Sequence, residues 1–166
     1  MLFGRRALGS KRWDPPPTAP AGVLLASPGA PFSRAAIRRA CELAAGQPVA
    51  VLSILKVYGS TFGLPNPGLM PTKRERDEQY AIVRQAISAV ERRGGTADGQ
   101  ITATRSAGRT IAKVARRRQV RYVVMDDSEA SGVRRLTDSA VTTTVRRRLG
   151  GGAELEVVTK SPAANS

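Results

Sequence analysis

The sequence predicts an α/β fold: a single-domain three-layer αβα sandwich built on a five-stranded parallel sheet with strand order 3-2-1-4-5. Three observations carry the prediction. Short apolar runs of strand length alternate with longer segments whose apolar residues recur every three or four positions. The first two runs are too apolar for a sheet with one wet face. Glycine or proline punctuates most of the junctions. Right-handed crossovers turn such an alternation into a parallel sheet covered by helices on both faces.

Met1 to Ala21 reads as a disordered basic arm, because its Gly, Arg and Lys residues lead into Pro15-Pro16-Pro17, which sustains neither a helix nor a paired strand. The folded domain is expected over residues 22–160, with a loose polar tail at 161–166. Val23-Leu24-Leu25-Ala26 is the first strand and ends at the turn signal Ser27-Pro28-Gly29. A helix follows, with Pro31 suited to its first position and Phe32, Ala36, Ala40 and Leu43 on one face up to Gly46. Val49 to Leu55 is the second strand, and Gly59 to Thr72 is a Gly- and Pro-rich loop.

The second helix carries Tyr80, Val83, Ile87 and Val90 on one face and stops at Gly94-Gly95. Gln100 to Arg105 is a weakly alternating third strand, and Thr110 to Arg118 supplies Ile111, Val114 and Ala115 for a short helical stripe. Val120 to Met125 is the fourth strand. The last helix presents Val141, Val145 and Leu149 and ends at Gly150-Gly151-Gly152, and Glu154 to Val158 alternates as the fifth strand.

Composition narrows the function. The 166 residues suffice for one core without disulfide or metal support. Cys41 is the single cysteine and histidine is absent, so neither a disulfide framework nor an ordinary zinc site is available, and a cytoplasmic setting is expected. No run approaches the roughly 20 apolar residues of a membrane span, and Met1 to Pro20 lacks the apolar middle of an export signal, which makes Arg5-Arg6 a poor twin-arginine motif. With 27 basic and 13 acidic residues the formal charge is +14, which favours RNA, DNA or an anionic membrane surface as partner. No nucleophile, base and oxyanion arrangement is visible, so no enzyme activity is expected.

In a sheet of this order the ligand crevice lies between strands one and four, walled by Ser27 to Pro31 and Asp126 to Ser139. The order and lengths of the elements, the long loop after strand two, Val123-Val124-Met125 before a loop containing Gly and Arg, Gly108 followed by Ile111 and Ala115, and Ser139-Ala140-Val141 together resemble the universal stress protein family over about Gly22 to Val158. The resemblance implies a Rossmann-like domain, a stress-related role, and a homodimer formed by fifth strands pairing edge to edge, here through Leu155 and Val157. It also raises the alternative of an accessory subunit of a membrane transporter.

ATP-binding members of that family carry G-x-x-G-x9-G-S/T after strand four, which lets backbone amides approach phosphates. Here the three glycine positions fall on Asp126, Glu129 and Ser139, and the hydroxyl position falls on Ala140. The family's aspartate after strand one is also replaced, by Ala26-Ser27-Pro28-Gly29. Carboxylates at Asp126, Asp127 and Glu129 would repel a triphosphate, so the familiar ATP site is expected to be lost. A shifted loop at Gly132 with Arg134 or Arg135 reaching an anion leaves room for weak nucleotide binding, the alternative being a sensor of ATP, AMP or a cyclic nucleotide.

Asp126, Asp127, Ser128 and Glu129 offer oxygens to Mg²⁺ but read more simply as a solvated acidic loop paired with Arg134 and Arg135, so no metal site is assigned. Asp138 or Ser139 is expected to cap the last helix. Arg92-Arg93, Arg116-Arg117-Arg118 and Arg146-Arg147-Arg148 fall in last helical turns, which this fold gathers at the end opposite the crevice. One cation per helix satisfies the macrodipole; eight arginines exceed that and predict a basic end plate, extended by Arg5, Arg6, Lys11 and Arg12, that engages phosphates without reading bases. The loop around Phe62, Leu64, Leu69 and Met70 suits a lid, a docking surface or packing over a helix edge, and Trp13 suits docking on the domain or stacking on a partner. Cys41 reads as a buried structural thiol.

Overall fold

The computed structural model describes residues 17–57, 70–127 and 133–159, the side chains of 133–139 excepted. Nine elements follow in chain order: β1 (Val23–Ser27), α1 (Arg34–Ala44), β2 (Val49–Lys56), α2 (Lys73–Arg92), β3 (Ala97–Thr104), α3 (Ala107–Arg117), β4 (Tyr122–Asp126), α4 (Val133–Leu149) and β5 (Glu154–Val158). The strands form one parallel sheet in the order β3-β2-β1-β4-β5. The predicted α/β sandwich and its strand order are therefore the observed ones.

Alternate residues of the central strands feed two cores. Val23, Leu25, Val49, Val51 and Val124 face α1 and α2, where Ala36, Ala40, Val83, Ile87 and Val90 meet them. Leu24, Ala26, Ala50, Leu52, Ile54, Val123 and Met125 face α3 and α4, packed by Ile111, Ala115, Val141, Val145 and Leu149. This two-sided burial is why β1 and β2 read as unbroken apolar runs, a parallel sheet having no wet face.

Several boundaries differ from expectation for local reasons. α1 opens at Arg34, because Ser33 rather than Pro31 supplies the cap: the Ser33 hydroxyl accepts from the Ala36 amide at 3.0 Å. β3 begins at Ala97, where Gly99 stands so close to Val83 that a Cβ would lie 2.3 Å from its Cγ1. Small residues replace the apolar signal there. Tyr80 is exposed, while Val83, Ile87 and Val90 of its stripe are buried. α4 extends back to Val133, which places Asp138 and Ser139 inside the helix and not at its cap, since nothing from Val133 to Ala140 breaks a helix.

The expected arm boundary also shifts. Ala21 is buried, and its amide donates to the Arg118 carbonyl at 2.9 Å. Arg5, Arg6, Lys11, Arg12 and Trp13, and the loop residues Phe62, Leu64 and Leu69, lie outside the described residues, while Met70 is exposed. No helix among the described residues is long and apolar enough to cross a membrane.

Candidate functional site

β1 pairs with β2 on one side and β4 on the other, so the loops after β1 and β4 diverge at one sheet end and form the crevice where such folds bind ligands. Ser27 and Pro28 begin one wall and Asp126 and Asp127 the other. Gly132 and Glu129 lie outside the described residues; Arg134, Arg135 and Ser139 belong to α4 by their backbone.

Across the crevice the Ser33 backbone N–H donates to Asp126 Oδ2 at 2.9 Å, and the Ser33 hydroxyl donates to Asp126 Oδ1. An anion arriving at the start of α1 would seek these two donors, because helix N-termini present unsatisfied amides and a favourable dipole end. Asp126 supplies that anion from within the chain. Asp126 is the last residue of β4, which is what carries its carboxylate to the loop after β1.

The loop is also held from the α2 side. Gln79 donates from Nε2 to the Gly29 carbonyl at 2.9 Å, and the fully buried Ser53 hydroxyl donates to Gln79 Oε1. Gly29 has φ of +120°, and a Cβ there would stand 3.1 Å from the Ile54 carbonyl oxygen, so the tight turn requires glycine. Ser27 accepts from the Gly29 amide at 3.2 Å and donates to the Ala30 carbonyl at 2.5 Å. The Ser27 hydroxyl, the Gly29 amide and carbonyl and the Ala30 carbonyl are thus satisfied by the protein itself.

The universal stress protein family model matches residues 23–149. The chain belongs to that family. Solved structures agree in fold. A universal stress protein family member from Burkholderia pseudomallei shares 16% identity at a TM-score of 0.58, covering 83% of this chain and 96% of that one. The Archaeoglobus fulgidus universal stress protein in complex with dAMP shares 16% at 0.55, covering 82% and 96%. A universal stress protein in complex with cAMP shares 14% at 0.55, covering 86% and 100%. No curated protein matches the sequence.

Within the universal stress protein fold the expected basic end divides. Arg118 is 1% exposed and is no part of a surface plate: its two terminal nitrogens donate to Asp98 at 2.7 and 2.6 Å, and its Nε donates to the Ala19 carbonyl. A guanidinium is buried here because a bidentate carboxylate and a carbonyl match its donors. Arg92, Arg93, Arg116, Arg117 and Arg146 stay exposed. Arg121, also exposed, was missed for lack of a helix around it; it joins Arg116 at a hollow of about 290 Å³ between Gln119 and Ala153. Arg147 and Arg148 instead line a groove between α3 and α4.

At the edge of the sheet Glu154 donates to the Arg121 carbonyl at 2.9 Å and the Val158 carbonyl accepts from Asp127 at 2.7 Å. By the alternation of a parallel ladder, Leu155 and Val157 point their backbone groups away from β4, towards open edge. Leu155 also packs on the α3–α4 core, and Glu156 holds α1 through a paired contact with Arg39. Among the described residues no group of three or more metal-binding side chains gathers. Cys41 is half-buried, not buried as expected; that partial burial still pushes its thiol up, with Arg93 opposing, so little of it is thiolate at neutral pH.

Proposed function

We propose that this protein is a non-catalytic, cytoplasmic universal stress protein in which the family's ATP contact has given way to an internal one, and which regulates through polyanion or protein contacts of its basic end. The observation that carries the first part is the Asp126 carboxylate on the Ser33 amide and hydroxyl. A nucleotide phosphate taking those donors would have to displace a covalently tethered anion and then sit beside its charge. The second part is supported by Arg92, Arg93, Arg116, Arg117, Arg121 and Arg146, all exposed, and by the entry of the chain at the same end through Ala21. Assembly through the free edge at Leu155 and Val157 would present two such ends.

Titration calorimetry with ATP, AMP and cAMP tests the loss of the nucleotide site. The expected result is no saturable heat at micromolar AMP or cAMP, and no heat with ATP that Arg134→Ala/Arg135→Ala removes. The complexes of related proteins with dAMP and cAMP favour a second reading, a nucleotide sensor using a reorganised crevice. Micromolar binding that disappears in Arg134→Ala/Arg135→Ala establishes that reading instead.

A further inference from the structure

The α3–α4 groove is a cavity of about 350 Å³ on the opposite face of the sheet from α1 and α2, and four arginines line it: Arg105, Arg109, Arg147 and Arg148. Among the described residues no carboxylate lines it. Such a concentration of one sign is unfavourable without a counter-charge, and clefts lined by one sign concentrate ions of the other. Among the described residues no hydrogen bond or ion pair holds the Arg109 or Arg147 side chain. Arg148 Nε is buried from solvent and meets no acceptor there, which is rare for a buried donor and marks a place where an oxygen is wanted.

The floor of the groove points the same way. α3 starts at Ala107 after Ser106, whose side chain makes no capping hydrogen bond, so the first amides of this helix lack the partner a serine usually gives. Gly108 lies against α4: a Cβ on it would stand 2.8 Å from Thr144 Cβ, which keeps the two helices close and the groove shallow at its base. Among the described residues the lining holds no aromatic ring on which a base would stack.

The geometry points to the α3–α4 groove as a binding site for a compact oligophosphate group, either pyrophosphate itself or the diphosphate of a nucleotide, with Arg109, Arg147 and Arg148 as its cationic contacts and the amides at the start of α3 as its floor. Guanidinium groups are suited to this because they meet phosphate oxygens with two parallel donors. The volume lies near the lower end of small-ligand sites, which fits two or three phosphates better than a whole dinucleotide.

Pyrophosphate, tripolyphosphate, ADP and adenosine are titrated into the full-length protein at low salt, with the amides of Gly108 and Arg109 followed by NMR. The expected result is saturable shifts of these amides with every phosphorylated ligand and none with adenosine. Equal affinity for pyrophosphate and ADP assigns recognition to the phosphates alone, and tighter ADP binding assigns it to a nucleotide. Arg109→Ala/Arg147→Ala, at two exposed positions, weakens pyrophosphate about tenfold or more, as the loss of charge-assisted hydrogen bonds predicts, while Arg76→Ala/Arg84→Ala, at two exposed positions of α2, leaves it unchanged. Absence of saturable shifts in the wild-type protein, or binding indifferent to the Arg109 and Arg147 changes, overturns the site. Shifts at Ser33 in place of Gly108 put the ligand in the β1–β4 crevice and overturn it equally, so this test and that of the nucleotide crevice read different residues.

Discussion

Arg118 shows how far a residue's role depends on partners distant in sequence. As the third of three arginines at a helix end it reads as surface charge, yet Asp98, 20 residues away, and the Ala19 carbonyl take it inside. Replacing Asp98 with Ala leaves a buried guanidinium short of its counter-ion and is expected to cost about 3 kcal/mol in urea unfolding. A cost under about 0.5 kcal/mol, the range of an ordinary surface change, contradicts the burial. A longer separation hid Ser33 from the sequence, 93 residues from Asp126, although the departure of Asp126 from the glycine pattern was plain in the sequence itself. Cys41, its thiol held up mainly by burial, is expected to react with a thiol reagent more slowly in the native protein than in urea.

At the scale of elements, burial patterns were legible and ends were not. The stripes Ile111, Val114 and Ala115, and Val141, Val145 and Leu149, are buried as their spacing requires. The start of β3 escaped because Ala97 and Gly99 are chosen for closeness to α2, not for apolar mass. α2 opens on a capping box: the Glu75 amide donates to Thr72 Oγ1 at 3.2 Å, and the Thr72 amide donates to the Glu75 carboxylate at 2.6 Å. Thr72→Ala is expected to cost about 1 kcal/mol in thermal or urea unfolding. The Thr72 amide, and then its hydroxyl, hold the Glu75 carboxyl below its ordinary value. Because the folded value is the lower one, this contribution is complete above the unfolded value near 4.3 and is lost as pH falls through the folded one. Protection of the first-turn amides of α2, measured against their intrinsic exchange rates, should fall over that acid range while β1 stays protected. Gly108→Ala forces α3 from Thr144 and is expected to cost about 1–3 kcal/mol by overpacking.

For the whole molecule, strand order and the two-faced core followed from element sequence and crossover handedness, and the family resemblance from their order and spacing. The distribution of charge did not follow from element ends alone: it depends on which arginines find partners and which grooves the helices leave. If the exposed basic end binds polyanions, Arg92→Glu/Arg93→Glu with Arg116→Glu/Arg117→Glu abolishes retention on RNA, and wild-type retention falls steeply with salt. Retention that is unchanged in the variant and indifferent to salt contradicts that role. The central claim is that Asp126 holds the place of a ligand anion at Ser33. Its most direct test is the Ser33 amide resonance during an ATP titration of the wild-type protein. The account predicts a resonance that does not move saturably; a saturable micromolar shift there would show the donors free to take a phosphate and contradict it.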